Sequence, residues 1–221
     1  MKLHLGCGEK YLEGYINIDF PPSEHTLVNP KADIFQDIRT LSYEENSVDE
    51  IRSHHLFEHF LRQESLKLLS DWRKWLKPGG VLFIETPDFE ESAKLFVSAS
   101  NIEKKFRLGR HMFGSHEADW AVHKDFWSRD KFNFILDKMG FENIEFNQMK
   151  SLYAKSFFSA ALGKVLPGFL KPIAGDILPN IQVKAKKSSS FINERERIKE
   201  ILSMSLVGTE KEMLDVWLKD I

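Results

Sequence analysis

Short apolar runs alternate with polar connections along the first 90 residues, the pattern of strands that feed crossovers in a parallel sheet. Four strands are predicted there: Leu3 to Leu5, Tyr15 to Phe20, Ala32 to Ile38 and Val48 to Ser53. A helix follows from Arg62 to Leu76, because Leu66, Leu69, Trp72, Trp75 and Leu76 recur at spacings of three and four and mark one buried face. Pro78-Gly79-Gly80 ends it. The next run, VLFIET, opens on consecutive apolar residues, as expected of a central strand covered on both faces. Beyond Pro87 the pattern predicts one helix from Glu90 to Phe106, a His- and Trp-rich connection from Arg110 to His123, and a helix from Ser128 to Met139 stopped by Gly140. FENIEF (141–146) and IQVKAKK (181–187) alternate as a sixth and a seventh strand. Between them, residues 147–180 form an apolar insertion too interrupted by Gly and Pro for one straight helix. After a serine linker at 188–190, Glu194 to Leu206 and Glu210 to Leu218 read as terminal helices. The expected organisation is an α/β domain over residues 1–187 carrying that helical insertion, with a C-terminal helical appendage at 188–221.

Composition narrows the class. A chain of 221 residues with 42% hydrophobic and 29% charged residues fits one globular domain with appendages. Lys plus Arg number 31 and Asp plus Glu 33, a net charge of −2, so bulk attraction to nucleic acid is not expected. The single cysteine, Cys7, excludes an intramolecular disulfide and a zinc site built on several thiolates, and it suits a reducing, cytoplasmic setting. No run is long and apolar enough for a signal peptide or a spanning helix. The insertion, with Lys155, Lys164 and Lys171 among apolar residues, fits a lid, core packing or peripheral contact with an anionic membrane.

The segment LHLGCGEKYLEGYINID concentrates the chemistry. A strand that runs into Gly6-Cys7-Gly8 puts nearly bare backbone at the carboxyl edge of a parallel sheet, where ligands of open α/β folds bind. The dinucleotide fingerprint GxGxxG fails, because Tyr11 stands at the third glycine position and Asp19 follows Gly8 too soon for a phosphate-binding helix. A pyrophosphate would lose its main electrostatic partner, so a ligand with ribose and no phosphate is favoured. Asp19, ending the second strand, can accept from ribose hydroxyls, and Asp37, ending the third, from an exocyclic amine.

The motifs LHLGCG, GYINID, DEIRSHHLFEH and LKPGG, in this order over roughly residues 3 to 146, resemble the class I S-adenosylmethionine-dependent methyltransferases, type-11-like branch. The resemblance implies a Rossmann-like, doubly wound, seven-stranded and mostly parallel sheet with an antiparallel last strand. It implies S-adenosylmethionine as cofactor, with Gly6, Cys7 and Gly8 along its methionine part, Asp19 on the ribose, Asp37 and Ile38 at the adenine, and Ser53 with His54 at the methyl end. One departure is that the chain starts almost on its first strand and has a reduced first crossover.

The connection RHMFGSHEADWAVHKD falls on what the resemblance makes the acceptor side. A hydroxyl acceptor must lose its proton, and a histidine titrating near neutrality suits that task. His123 and His116 are the candidate bases, and Asp119 an orienter or alternate base. Trp120, Phe126 and Trp127 read as core residues. HLFEH at 55–59 also matches HxxEH, in which His55 and His59 would share a helix face around zinc. The methyltransferase motif already accounts for these residues, so no metal is expected. The expected activity is methylation of a hydroxyl on a small or glycan-type acceptor. The other readings are an inactive accessory protein of the same fold and a nucleotide-linked oxidoreductase; neither the acceptor atom nor the oligomeric state follows from the sequence.

Overall fold

The structure, a computed structural model, describes residues 1–25, 28–152 and 177–220. Its strands are β1 (Lys2–Leu5), β2 (Ile16–Asp19), β3 (Ile34–Phe35), β4 (Val48–His54), β5 (Leu76–Pro87), β6 (Phe141–Leu152) and β7 (Ile177–Lys187). They form one sheet in the order β3-β2-β1-β4-β5-β7-β6. The first five run parallel, and β7 runs antiparallel to both β5 and β6. This is the Rossmann-like sheet expected, with its antiparallel last strand. The order reverses between β1 and β4, and such a switch point opens a crevice beyond the carboxyl ends of those strands.

Helices α1 (Arg62–Trp75), α2 (Phe89–Ser98), α3 (Ile102–Phe113), α4 (Arg129–Lys138), α5 (Glu194–Ser203) and α6 (Met213–Trp217) complete the described elements. The face of α1 predicted to be buried is buried: Leu66, Leu69 and Trp72 lose essentially all exposure, each contributing about 1.5–3 kcal/mol of transfer free energy. Phe57 meets Trp127 at 4.7 Å between ring centres, and Trp127 stacks on Phe132 at 4.5 Å. This aromatic column ties the turn after β4 to α4.

Four elements differ from the sequence reading. The strand expected over Ala32 to Ile38 shrinks to Ile34–Phe35, an exposed edge pairing only with β2. Asp37 ends it by capping a 3-10 turn at Ile38–Thr40, accepting from the Arg39 amide. The helix expected over 90–106 is two helices: the chain is extended at Ala99, and the Asn101 side chain caps α3 by accepting from the Glu103 amide at 2.7 Å. Finally, β6 and β7 pair as far as Leu152 and Ile177, so 147–152 and 177–180 of the expected insertion belong to the sheet. The remainder, 153–176, with Lys155, Lys164 and Lys171, lies outside the described residues.

The C-terminal residues share the core of the sheet domain. Ile198, Ile201 and Leu202 of α5 and Leu218 join the same buried cluster as α1 and α4. Arg73 of α1 fastens them: Nη2 donates to the Ser190 carbonyl at 2.8 Å, Nη1 to Glu194 at 3.4 Å and Nε to the Gly140 carbonyl at 3.4 Å. Arg73→Ala is expected to cost about 2–3 kcal/mol, the range for losing hydrogen bonds from a buried charged group. Urea unfolding followed by circular dichroism measures it. A single cooperative transition with a lowered midpoint is the expected outcome, and a separate early transition would show residues 188–221 to be an independent unit.

Candidate functional site

The turn after β1 is tied to β2 at every amide. Gly6 and Cys7 both donate to the Ile18 carbonyl, at 2.9 and 3.2 Å. Gly8 donates to Asp19 Oδ2 at 2.6 Å. Gly6 has φ +65°, and a Cβ there would lie 2.8–3.0 Å from the Leu56 side chain, so only glycine fits. The Cβ position of Gly8 meets nothing nearer than Val28 at 3.9 Å and faces open space. Residues 6–15 contain no helix, so the pyrophosphate-binding element of dinucleotide enzymes is absent from this crossover. Cys7 is buried with its thiol against the Lys31 carbonyl, and burial, then Asp19, push its pKa up to about 12. Its role is packing and turn geometry, not thiolate chemistry.

A cavity of about 190 Å³ opens over this turn. Gly6, Gly8 and Asp19 form its floor with Phe20 and Val28; His55, Leu56, His59 and Phe60 form one wall, and Arg39, His25, Trp120 and Lys124 the rest. Asp19 already accepts three hydrogen bonds, from Gly8 and Phe20 amides (2.6 and 2.7 Å) and from His25 Nε2 (3.0 Å). His25 lies edge-on to Trp120 at 5.2 Å, and Trp120 Nε1 donates to the Glu24 carbonyl at 2.8 Å. His25 and Trp120 together roof the carboxylate.

In the sequence comparison, residues 3–84 match the family model described as a methyltransferase domain. That match covers the first part of the chain, and the fold as a whole is the Rossmann-like methyltransferase fold. A solved S-adenosylmethionine-dependent methyltransferase from Methanosarcina mazei has the same fold, with TM-score 0.53 and 16% identity over 86% of this chain and 92% of that one. So does a chain from the Haloferax volcanii complex of the Trm112 methyltransferase activator with a methyltransferase, at TM-score 0.54 and 13% identity over 87% and 83% of the two chains. YcgJ of Bacillus subtilis gives TM-score 0.50 and 13% identity over 86% and 92%. Comparison with curated proteins gives no match. No described helix is long and apolar enough to cross a membrane.

Within the methyltransferase domain the predicted residues divide. Gly6, Gly8 and Asp19 line the cavity, while Asp37 does not. Asp37 is held by a bidentate pairing with Arg39 (2.7–3.1 Å), and Arg39 is the residue that reaches the cavity. Ile38 packs into the core. Ser53 is fully buried and His54 contacts His4 and Phe83, so the wall is made two residues later, by His55 and Leu56. The departure arises because β4 continues through His54 and the chain then turns sharply at His55, whose φ is +48°.

The acceptor-side candidates also separate. His116 is exposed with Nε2 2.8 Å from the Phe113 carbonyl, and Asp119 is exposed; neither lines the cavity. His123 sits behind His59, ring centres 4.8 Å apart, and burial, outweighing Glu58, lowers its pKa to about 4. Trp127 is core as expected, but Trp120 is cavity wall and Phe126 is exposed. The HxxEH pair does not share a helix face, since only Phe57–His59 form a 3-10 turn. His55 Nδ1 instead meets Glu58 at 3.3 Å and its Nε2 lies 3.6 Å from Glu85. The His55 hydrogen bond is the main reason the Glu85 acid falls to about 2. Burial pushes Glu58 the other way, yet His55, then His59 and His123, hold it below the ordinary carboxylate range. The sequence reading missed His25, whose only signal is a histidine six residues beyond Asp19.

His54 sets an acid limit. Burial, then Lys10, lower its pKa from 6.5 to about 4, so between these values the unfolded chain binds more protons than the folded one. Stability is therefore complete above pH 6.5 and falls as pH drops from 6.5 toward 4, by about 2 kcal/mol after allowance for partial exposure. Urea midpoints at pH 7.5 and 5 measure the loss, and His54→Gln should abolish that part of it.

Proposed function

We propose that this chain transfers the methyl group of S-adenosylmethionine to a hydroxyl of a small or glycan-type acceptor. The observation that carries the reading is the Gly6–Gly8 turn with Asp19 at the carboxyl edge of β1 and β2, opening onto a wall of histidines. The cofactor, when bound, supplies an electrophilic methyl carbon on a sulfonium. Asp19 fits its ribose hydroxyls, the open face of Gly8 its backbone-hugging methionine part, and Phe20, Val28 and Arg39 the face of its base. At about 190 Å³ the cavity is smaller than the roughly 300–1,000 Å³ common for small-molecule pockets, so a nucleoside needs it to widen, with His25 yielding its hydrogen bond to Asp19. The helix-free first crossover disfavours a nicotinamide dinucleotide.

The proton of an acceptor hydroxyl falls to His55. It lines the cavity, with Glu58 3.3 Å from its Nδ1 and Glu85 3.6 Å from its Nε2. Nδ1 donates to the Glu58 carboxylate, so the proton would be taken at Nε2 once the acceptor hydroxyl displaces the Asn180 amide that donates to it at 2.9 Å.

Calorimetry with S-adenosylmethionine and S-adenosylhomocysteine tests the cofactor assignment. Asp19→Ala should weaken binding by about 1–3 kcal/mol. Loss of its competitor in His25→Ala should tighten binding by about tenfold, the equivalent of one hydrogen bond. No heat with either ligand, but tight binding of a nicotinamide dinucleotide, would favour the oxidoreductase. A mass-spectrometric screen of hydroxyl and amine acceptors tests the chemistry. His55→Ala should lower turnover of an oxygen acceptor by about 10²–10⁴-fold with cofactor affinity nearly unchanged. Products methylated solely on nitrogen would refute the hydroxyl assignment.

A further inference from the structure

Beside the cavity, Glu58, His59 and His123 each offer one ligand atom within 4.8 Å of the other two. The trio is assembled by two segments far apart in sequence. The turn after β4 brings Glu58 and His59, and the return of the 114–123 connection brings His123. Backbone bonds hold them together: Lys124 N–H donates to the Glu58 carbonyl at 2.9 Å and His123 N–H to the Phe113 carbonyl at 3.1 Å. Gly114 makes this return possible, since a Cβ there would lie 2.1 Å from the Ala121 carbonyl oxygen.

Both imidazoles are set for ligation by the same device. His59 Nδ1 lies 3.2 Å from the Val122 carbonyl and His123 Nδ1 3.3 Å from the Met112 carbonyl. A carbonyl only accepts, so Nδ1 carries the hydrogen in each ring and the lone pair sits on Nε2. A backbone carbonyl behind each imidazole is the usual outer shell of a metal-bound histidine. The carboxylate supplies an independent sign. Glu58 is 2% exposed; one oxygen meets His55, while Oε2 is buried without a hydrogen-bond partner among the described residues. A buried carboxylate oxygen without a donor is costly, and a cation removes that cost.

We propose that Glu58, His59 and His123 bind one divalent first-row transition metal ion, of which zinc is the natural probe. Two imidazoles and one carboxylate suit zinc or iron(II) and not magnesium or calcium, which prefer all-oxygen shells. Three protein ligands leave a coordination position for water or substrate, and His59, which lines the cavity, puts the ion at its wall. Metal binding stands without the methyl-transfer reading; only its consequence, a positive charge beside the acceptor oxygen, rests on that reading.

The test uses the untagged full chain, stripped with a chelator and dialysed, titrated with Zn²⁺ by calorimetry and with Co²⁺ by visible absorption. One equivalent is expected, with the absorption bands of a low-coordinate nitrogen and oxygen site. His59→Ala, His123→Ala and the near-isosteric Glu58→Gln should each weaken affinity by about 100-fold or more, since even outer-shell changes cost 10–100-fold. His55→Ala, which removes the partner of the other Glu58 oxygen, should weaken it by about 10–100-fold, and exposed His116→Ala should leave it unchanged. Where a variant folds poorly, the wild-type chain decides: Zn²⁺ should raise its melting temperature with a concentration dependence that matches the calorimetric affinity. No saturable binding by the wild type, undiminished binding by folded His123→Ala, or loss of binding in His116→Ala would overturn the site. S-adenosylmethionine binding to the stripped wild type, measured separately, reports on the cofactor assignment alone.

Discussion

Three amides in succession, those of Gly6, Cys7 and Gly8, are spent on the end of β2: two on the Ile18 carbonyl and one on the Asp19 carboxylate. Much of the site depends on that arrangement. It fixes the crossover with no helix, requires positive φ at both glycines, and holds the Asp19 carboxylate at the sheet edge. It also explains why Gly6 admits no side chain, because the chain leaving β4 packs Leu56 against it. The first and fourth strands are neighbours, so a change at the turn is felt at the wall that faces it.

The second organising constraint is electrostatic. His4, His54, His111 and His123 all have lowered pKa values, with burial the leading cause. Glu58 and Glu85 remain ionised around His55. The domain therefore gathers neutral imidazoles and negative carboxylates at the carboxyl ends of β4 and β5. This is donor chemistry suited to protons or metal ions, reached by burial and not by a surplus of charge in the sequence.

What the sequence made legible follows from range. The strands from 3 to 20 and from 48 to 53, the face of α1 and the cap at Ser128 are set by neighbours a few residues apart, and they appear where the pattern puts them. The glycines and Asp19 were legible for a different reason, since a tight turn restricts residue type severely. Failures concentrate where one residue chooses between partners distant in sequence. Asp37 has an arginine two positions on and prefers it to the cavity. His123 reads as an acceptor-side base like His116 until the Gly114–Val122 bridge folds it back beneath His59, where burial lowers its pKa to about 4. His25 and Trp120, 95 positions apart, carry no local pattern linking them.

That last pair joins the two halves of the site. Trp120 belongs to the same short connection as His123, closed at its base by the Gly114–Val122 bridge. Its indole holds the turn at Pro22–Glu24 in place, and the next residue, His25, sits on Asp19. His25 thus touches both Asp19 and the connection that carries His123 to His59. The 114–123 connection is the element that contributes to both, Trp120 to the cavity and His123 to the cluster beside it. The floor of the cavity is built from local turn geometry, and its roof from contacts that only the folded chain supplies.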